Sequence, residues 1–305
     1  MASKPKFPVP ADAADGGAAR RPRELQDALN FHLFHPLALR LATALTATRV
    51  TPNMVSVAGG LLVVLAALAY AQPGWPWPAL AGFALHLAWH VVDGADGDLA
   101  RLTGRSSPQG ELVDGICDYA GHIVLYLVLG SLLQSMIGPV AWLFAVGAGA
   151  SRIVQANHYE VQRRQYQWWV YGVPWLRASR GQGGSEGKAA LLGTAYLKLA
   201  QMIAPHAIPA DRAVAAAREN PERSEQALAA IRRHAEPILD SLPLLGANYR
   251  TVALGFSMLA GSPIYFFLWE AVALNLVLIR SVRISNRSTC RLIAELDHQE
   301  ASTPR

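Results

Sequence analysis

The chain has 305 residues, of which 52% are hydrophobic and 16% are charged, and its mean hydropathy is +0.20. This balance is more apolar than that of ordinary soluble domains and favours an integral membrane protein. The net charge of +5 does not indicate nucleic-acid binding, because the basic residues lie beside apolar segments instead of along one polar face. The two cysteines, Cys117 and Cys290, are far apart and lack metal-binding spacing, which argues against a disulfide framework or a zinc site.

The N-terminal part of the chain is polar at first and then amphipathic. Residues 1–21 contain basic residues with Pro, Ala and Gly but no apolar core, so we expect a disordered cytosolic tail and no secretory signal. Residues 22–48 mix charged and apolar positions at helical spacing, which predicts an amphipathic helix at the membrane interface. Pro36 is expected to kink or split that helix.

Apolar runs separated by short turns come next. The first begins after Thr51, a residue suited to cap a helix whose first turn contains Pro52. Its length of about 20 residues is enough to cross the hydrocarbon core of a bilayer. The apolar runs predict six spans, at about residues 52–71, 79–101, 111–134, 140–162, 249–262 and 264–282.

Residues 176–248 are polar and too long for an ordinary loop. They contain a Gly-rich run at 180–185, and the stretches 213–218 and 224–234 have a helix-forming composition, which predicts a small helical insertion. The predicted fold class is therefore all-α, an integral membrane bundle of six transmembrane helices with an interfacial amphipathic helix and a helical insertion. The predicted segments are the tail (1–21), the amphipathic helix (22–48), spans one to four (49–175), the insertion (176–248), spans five and six (249–284) and a C-terminal tail (285–305).

The distribution of basic residues orients these spans. Lys and Arg follow spans two, four and six, whereas the turns at 72–78, 135–139 and 262–263 contain neither. The positive-inside rule then places both termini, the loop at 102–110 and the insertion in the cytosol. The protein is expected to cross its membrane several times, with the lipid bilayer as its surroundings.

Acidic residues cluster at the end of span two and the start of span three. Asp93 and Asp96 are three residues apart and share one helix face, as do Asp114 and Asp118, which are four apart. Carboxylates within membrane segments are costly, so the cluster indicates a functional site. Because a short loop joins the two spans, they are expected to pack antiparallel and to bring both acidic pairs together.

Four clustered carboxylates repel one another unless cations compensate their charge. Two divalent cations would do so, and ligation by oxygen alone favours Mg²⁺ or Mn²⁺. A pair of such ions suits displacement at phosphorus, since the ions stabilise both the attacking and the leaving oxygen. Gly94 and Gly97 leave room for a ligand to approach the backbone. The alternative interpretation is a structural polar network or a helix end exposed to water.

The stretch from Asp93 to Asp118 resembles the signature of the CDP-alcohol phosphotransferase (CDP-alcohol phosphatidyltransferase) family. That signature reads DxxDGxxAR, then eight residues, then GxxxDxxxD. All of its defining positions are matched, by Asp93, Asp96, Gly97, Ala100, Arg101, Gly110, Asp114 and Asp118. The six-span layout and the Thr51-Pro52-Asn53 run also resemble the family, so the likeness covers most of the chain apart from 176–248.

The resemblance implies roles for these residues. The expected metal ligands for two ions are Asp93, Asp96, Asp114 and Asp118, and Asp118 is also the expected general base. The expected donor contacts are Gly97 and Arg101 at the nucleotide diphosphate, Ser107, and Pro52 and Asn53 near the cytidine. The partners implied are a CDP-linked donor and an alcohol acceptor, with CMP as leaving group, and the family resemblance also implies a homodimer.

Two substrate assignments remain open. The loop at 101–112 looks like that of eukaryotic choline and ethanolamine phosphotransferases, which use a CDP-amino alcohol and a diacylglycerol acceptor. Those enzymes have a histidine where this chain has Gly115, so Asp118 is the better base, as in bacterial enzymes that use CDP-diacylglycerol. The leading expectation is therefore a phospholipid-synthesising transferase of a bacterial inner membrane, with a polar acceptor such as inositol phosphate, glycerol phosphate or serine. A non-catalytic metal-binding membrane protein is the alternative from another class.

Other polar residues in the predicted spans have two interpretations. His86, His90 and His122 continue the faces of the acidic pairs, and they either tune the site or hydrogen-bond across helices, as such residues more often do. Arg152 lies well inside an apolar block and is a candidate contact for the acceptor. Asp98 is additional to the family signature and is assigned no role.

Overall fold

A computed structural model describes residues 22–173, 198, 201–219 and 224–301. Within these residues the secondary structure is helical and contains no strand, which confirms the all-α class. The predicted tail at 1–21 and the Gly-rich run at 180–185 lie outside the described residues. The α-helices in chain order are α1 (His35–Thr46), α2 (Pro52–Tyr70), α3 (Trp77–Leu102), α4 (Pro108–Ile137), α5 (Ala141–Tyr171), α6 (Ala207–Glu219), α7 (Ser224–Asp240), α8 (Ala247–Leu259), α9 (Ile264–Leu268) and α10 (Leu274–Ala301).

Capping residues fix the starts of the two helices that border the acidic cluster. Thr51 accepts a hydrogen bond from the Met54 backbone N–H at 3.4 Å, and so caps α2 as the sequence predicts. Ser107 does the same for α4, accepting from the Gly110 N–H at 3.1 Å. Gly138, at φ 77°, ends α4 in a backbone conformation that favours glycine.

The predicted irregularity near Pro36 takes the form of a π-helical turn. This turn spans Asn30–Phe34, and α1 begins directly after it at His35. Because proline has no backbone N–H to donate, the chain cannot complete a regular α-helical ladder across this position. The predicted helix at 22–48 therefore contains a 3-10 helical turn at Arg23–Leu25, the π-helical turn and α1.

One compact unit comprises the described residues up to Arg152 together with Ala247–Ala273. Within it, α2 packs against both α3 and α4, while α1 and α8 pack against α3. Large apolar side chains from α3, α4 and α9 are buried in its main core, among them Trp89, Leu125, Leu129, Phe266 and Phe267. This unit contains all the residues of the acidic cluster.

A second compact unit contains the described residues within 153–246 together with those from Leu274 to Ala301. In this unit α6 and α7 pack against each other and against α10. Glu295 on α10 accepts hydrogen bonds from Arg233 at 3.0 Å and pairs with His234 at 2.7 Å, which ties α7 to α10. The two helix-forming stretches predicted inside 176–248 are thus helical, and the segment predicted as a C-terminal tail is helical as far as Ala301.

Three helices in the described part of the chain are long and apolar enough to cross a membrane. They are Pro52–Tyr70, Gln109–Ile137 and Ile264–Gln299, which correspond to predicted spans one, three and six. The other three predicted spans are also helical. These helices do not have both the length and the apolar character of the other three, since α3 and α5 carry several charged residues and α8 has only 13 residues.

Candidate active site

Three carboxylates from two helices converge in the first unit. Asp93 on α3 and Asp114 and Asp118 on α4 each offer an oxygen atom, and these three oxygens lie within 4.8 Å of one another. All three residues are half-buried, and the Asp93 and Asp118 side chains contact each other. Such a group can hold a cation through oxygen ligands.

Helix α2 brings the acidic residues of α3 and α4 together, because both of these helices pack on it. The sequence predicts that the second and third spans pack on each other, but α3 and α4 make few close backbone contacts and instead both pack on α2. Two glycines allow α4 to approach α2, because a Cβ at Gly60 would lie 3.0 Å from the Cys117 carbonyl oxygen and one at Gly121 would lie 3.0 Å from the Gly60 carbonyl oxygen. The two acidic faces therefore meet through their side chains, with backbones apart.

Asp96 connects this cluster to α2. It is 6% exposed and accepts a hydrogen bond of 2.5 Å from the Ser56 hydroxyl. Its side chain also contacts that of Asp114. Ser56 was not identified from the sequence; its position on the apolar α2, one turn beyond Pro52, was the available signal.

A pocket adjoins the cluster, and Asp96 and Asp114 form part of its wall. The five residues that the family resemblance associates with the donor all line it, namely Pro52, Asn53, Gly97, Arg101 and Ser107. Asp93 and Asp118 are not part of this lining. The lining also includes two further signature positions, Ala100 and Gly110, and four residues that the sequence interpretation did not assign to the site: Ser56, Arg105, Ser106 and Glu111. The pocket lining thus includes both guanidinium and carboxylate groups.

The room expected beside Gly97 is occupied by a guanidinium. A Cβ at Gly97 would lie 3.5 Å from Arg101 Nη1, so the arginine side chain lies over the Gly97 backbone. Arg101 Nη2 also donates a hydrogen bond to Asp98, which is completely buried. His35 on α1 is the second neighbour of this carboxylate, with Nδ1 3.6 Å from Asp98 Oδ2.

Asp118 makes one hydrogen bond through its side chain and one to a neighbouring side chain through its backbone oxygen. The Trp89 indole N–H donates to Asp118 Oδ1 at 3.0 Å, and His122 Nδ1 lies 2.8 Å from the Asp118 backbone oxygen. Because a carbonyl oxygen can only accept, the His122 Nδ1 carries the hydrogen in this contact. The Trp89 and His122 rings meet edge to face at 4.7 Å. The indole therefore fixes the orientation of one carboxylate oxygen.

The other two histidines link α3 to α8. His90 Nε2 and His86 Nε2 lie 2.8 Å and 3.3 Å from the Thr251 hydroxyl oxygen. A hydroxyl donates only one hydrogen, so at least one of the two rings donates to the Thr251 oxygen. This geometry favours the interpretation in which these histidines hydrogen-bond across helices.

A second group of buried charges includes Arg152. Arg250 on α8 donates to Glu270, a fully buried residue in the π-helical turn Trp269–Ala273. Arg152 Nη1 is 4.0 Å from the other Glu270 oxygen, and its guanidinium is 5.9 Å from the centre of the Tyr126 ring. Two guanidinium groups thus share one carboxylate. The sequence interpretation identified Arg152 and missed Arg250, although an arginine inside a predicted span was a signal for it.

Comparison with known families gives one match. A family model described as CDP-alcohol phosphatidyltransferase matches residues 49–205, about half of the chain, including the whole acidic cluster and the pocket lining. A search of curated proteins returned no match.

Proposed function

Because the chain belongs to the CDP-alcohol phosphatidyltransferase family, we propose that it transfers a phosphatidyl group from CDP-diacylglycerol to the hydroxyl of a polar alcohol and releases CMP. The product is a phospholipid. The observation that carries this proposal is the convergence of Asp93, Asp114 and Asp118 beside a pocket lined by the family's donor-contacting positions. Asp114 belongs to both the cluster and the pocket wall.

Two divalent cations, Mg²⁺ or Mn²⁺, are the proposed cofactors, and their proposed ligands are Asp93, Asp96, Asp114 and Asp118. The donor set fits such ions because it consists of oxygen atoms from carboxylates in mutual contact, which repel one another unless cations are present. When bound, the ions would neutralise the acids and withdraw electron density from the phosphorus that is attacked.

The pocket is the proposed site of the CDP portion of the donor. Asn53 and Ser107 offer polar side chains for the nucleotide, next to the first turns of α2 and α4. Arg101 and Arg105 supply positive charge for the diphosphate, and planar guanidinium groups bind phosphate oxygens through paired hydrogen bonds. The leaving CMP would keep this contact as its negative charge develops.

Asp118 is the proposed general base. Its carboxylate would take the proton of the acceptor hydroxyl while the hydroxyl oxygen attacks the phosphorus of the phosphatidyl group. The bond from that phosphorus to the CMP oxygen breaks, and the electron pair leaves with CMP. The hydrogen bond from Trp89 supports this role, since it leaves the carboxylate in one defined orientation.

The group around Glu270 is the proposed contact for the acceptor. Arg152 is close enough to Asp118 to interact with it electrostatically. Arg152 and Arg250 together carry two positive charges, and Glu270 compensates one of them. An anionic ligand would compensate the other. This observation favours an acceptor with a phosphate or carboxylate group over a neutral diacylglycerol.

The finer membrane organisation is also part of the proposal. We propose six spans. Among them α3 and α5 are long enough to cross, because 26 and 31 helical residues exceed the roughly 30 Å of a hydrocarbon core. The helix at 22–48 lies at the interface, and both termini and the acidic cluster are cytosolic. The protein is proposed to be a homodimer of the bacterial inner membrane.

A panel of donors and acceptors tests the proposed reaction. Purified full-length protein is incubated with Mg²⁺ and either CDP-diacylglycerol or CDP-choline, each with inositol phosphate, glycerol phosphate, serine or diacylglycerol as acceptor, and CMP is measured. We expect CMP only from CDP-diacylglycerol with a polar acceptor. Release of CMP from CDP-choline but never from CDP-diacylglycerol would instead establish the amino-alcohol reaction.

A variant of Asp118 is expected to separate turnover, measured as CMP release, from donor binding. Asp118→Asn keeps the shape of the side chain and removes its basicity. We expect turnover to fall below detection while the protein still binds the donor. Turnover equal to that of the wild type would exclude Asp118 as the base.

A further inference from the structure

Asp98 is a buried carboxylate that neither the family signature nor the proposed reaction requires. Its side chain is 0% exposed and lies on α3, two residues after Asp96. A carboxylate removed from water is costly unless a cation and hydrogen bonds compensate its charge. Arg101, three residues further along the helix, provides that cation through a hydrogen bond from Nη2 to Asp98 Oδ1.

The same guanidinium lines the pocket. The Arg101 side chain is 34% exposed to solvent, and it lies against the Gly97 backbone. Five N–H donors allow one guanidinium to bond a carboxylate with one nitrogen and phosphate oxygens with the others. The ion pair with Asp98 therefore does not exhaust the donors of Arg101.

Helix α1 packs against the face of α3 that carries Asp98. His35 Nδ1 approaches the second carboxylate oxygen at 3.6 Å. Around this contact, Ala38 and Ala42 of α1 pack against Ala95 and Leu99 of α3 with almost no exposure. Water is thus excluded from this face of α3, and the lower local polarity strengthens the attraction between Asp98 and Arg101.

We propose that Asp98 is a positioning residue that holds Arg101 in place for the diphosphate of the CDP-linked donor, an inference that rests on the function proposed above for the pocket. A long side chain that is free in the unbound protein loses conformational entropy when a ligand fixes it. Asp98 fixes the guanidinium before the donor arrives, so this loss does not weaken binding. A lysine at 101 could not serve both partners, because its single ammonium lacks the fork of the guanidinium.

A double-mutant cycle tests the proposal on the full-length protein in detergent. The variants are Asp98→Ala, Arg101→Ala and the two combined, and the readouts are the Kd for CDP in the presence of Mg²⁺ and the KM for CDP-diacylglycerol. We expect each single variant to weaken CDP binding by about 10-fold or more, the usual scale for one charge-assisted hydrogen bond. The combined variant should be no weaker than Arg101→Ala, because Asp98 acts only through Arg101.

The remaining outcomes decide against the proposal. It is overturned if Asp98→Ala weakens CDP binding by the same factor with and without Arg101, or if it leaves the Kd unchanged. If Asp98→Ala does not fold, Asp98→Asn supplies the same cycle, since asparagine keeps the shape and loses the charge. Glu295→Gln is the matched control; it removes the carboxylate partner of Arg233 and His234 and should leave CDP binding unchanged.

The role of Asp98 and the function of the pocket are tested separately by this experiment. If Arg101→Ala weakens CDP binding and both Asp98 variants bind normally, the role of Asp98 is wrong and the proposed donor pocket stands. If the wild-type protein binds no CDP, the function proposed for the pocket is wrong and the role of Asp98 falls with it.

Discussion

At the scale of single residues, the contact between Trp89 and Asp118 carries the most chemical information. The indole is 3% exposed and its N–H bonds a carboxylate that belongs to the acidic cluster. Sequence patterns predict the four acids at 93, 96, 114 and 118, because their spacing is fixed along the helices. They do not predict the contacts of Ser56 and Trp89, which depend on the rotation of one helix against another. The pair of Asp98 and Arg101 differs from these, because its members lie three residues apart on one helix.

Removing the indole N–H should slow the chemical step. Trp89→Phe keeps an aromatic ring against His122 and leaves Asp118 Oδ1 without its donor. We expect kcat to fall by about 10-fold, in line with the loss of one hydrogen bond to a charged group, while the donor KM stays within about two-fold. The measurement is steady-state CMP release from CDP-diacylglycerol.

A second tryptophan provides the control for this variant. Trp142 Nε1 bonds the exposed Gln134 side chain at 2.5 Å, so Trp142→Phe also removes one indole hydrogen bond. Its kcat should match that of the wild type. Equal kcat values for all three proteins would show that the Trp89 contact does not position Asp118 for catalysis.

At the scale of helices, the close approach of α2 and α4 sets the distance between the acidic pairs. The sequence predicts where both helices begin, because Thr51 and Pro52 give a local signal. It does not predict that α3 and α4 both pack on α2 and make few close backbone contacts with each other, since loop length alone suggests that consecutive helices pack on each other. The π-helical turn that holds Glu270 likewise lacks a local signal.

Filling the contact at Gly60 should displace α4 and damage the site. Gly60→Leu places a side chain where even a Cβ would lie 3.0 Å from a backbone oxygen of α4. We expect a loss of about 1–3 kcal/mol from overpacking, larger than the gain of up to about 1 kcal/mol from replacing a helical glycine. The observables are a lower Tm in detergent and at least a 10-fold loss of CMP release, since ligand groups shift with α4.

Gly147→Leu is the control that separates overpacking from the general effect of replacing a helical glycine. Gly147 is also helical, and a Cβ there would have no neighbour within 4 Å. This variant should keep its activity and its Tm. If Gly60→Leu behaves in the same way as Gly147→Leu, the spacing of α2 and α4 does not control the site.

At the scale of the whole molecule, the all-α class and a membrane location follow from composition and from three long apolar helices. The number of spans does not follow as directly. The helices α3 and α5 carry the charged residues of the site and of the basic segments, so their mean apolarity is low although they are long. Charged residues of a site within a proposed span thus lower the mean hydropathy by which a span is identified.

Cysteine labelling tests the predicted topology. In a variant without Cys117 and Cys290, single cysteines are introduced as Ser135→Cys, next to the turn after α4, and Asp297→Cys, near the end of α10, both at exposed positions. A membrane-impermeant maleimide should label Ser135→Cys from outside intact cells and Asp297→Cys only in inverted vesicles. Labelling of both positions from the same side would contradict the orientation.

The central claim is that the acidic cluster holds divalent cations which the transfer of a phosphatidyl group requires. The most direct measurement is CMP release from CDP-diacylglycerol, with a polar alcohol as acceptor, by purified protein before and after chelation of divalent ions. The proposed metal dependence predicts that release stops on chelation and returns when Mg²⁺ or Mn²⁺ is added back. Undiminished CMP release from the chelated protein would contradict it.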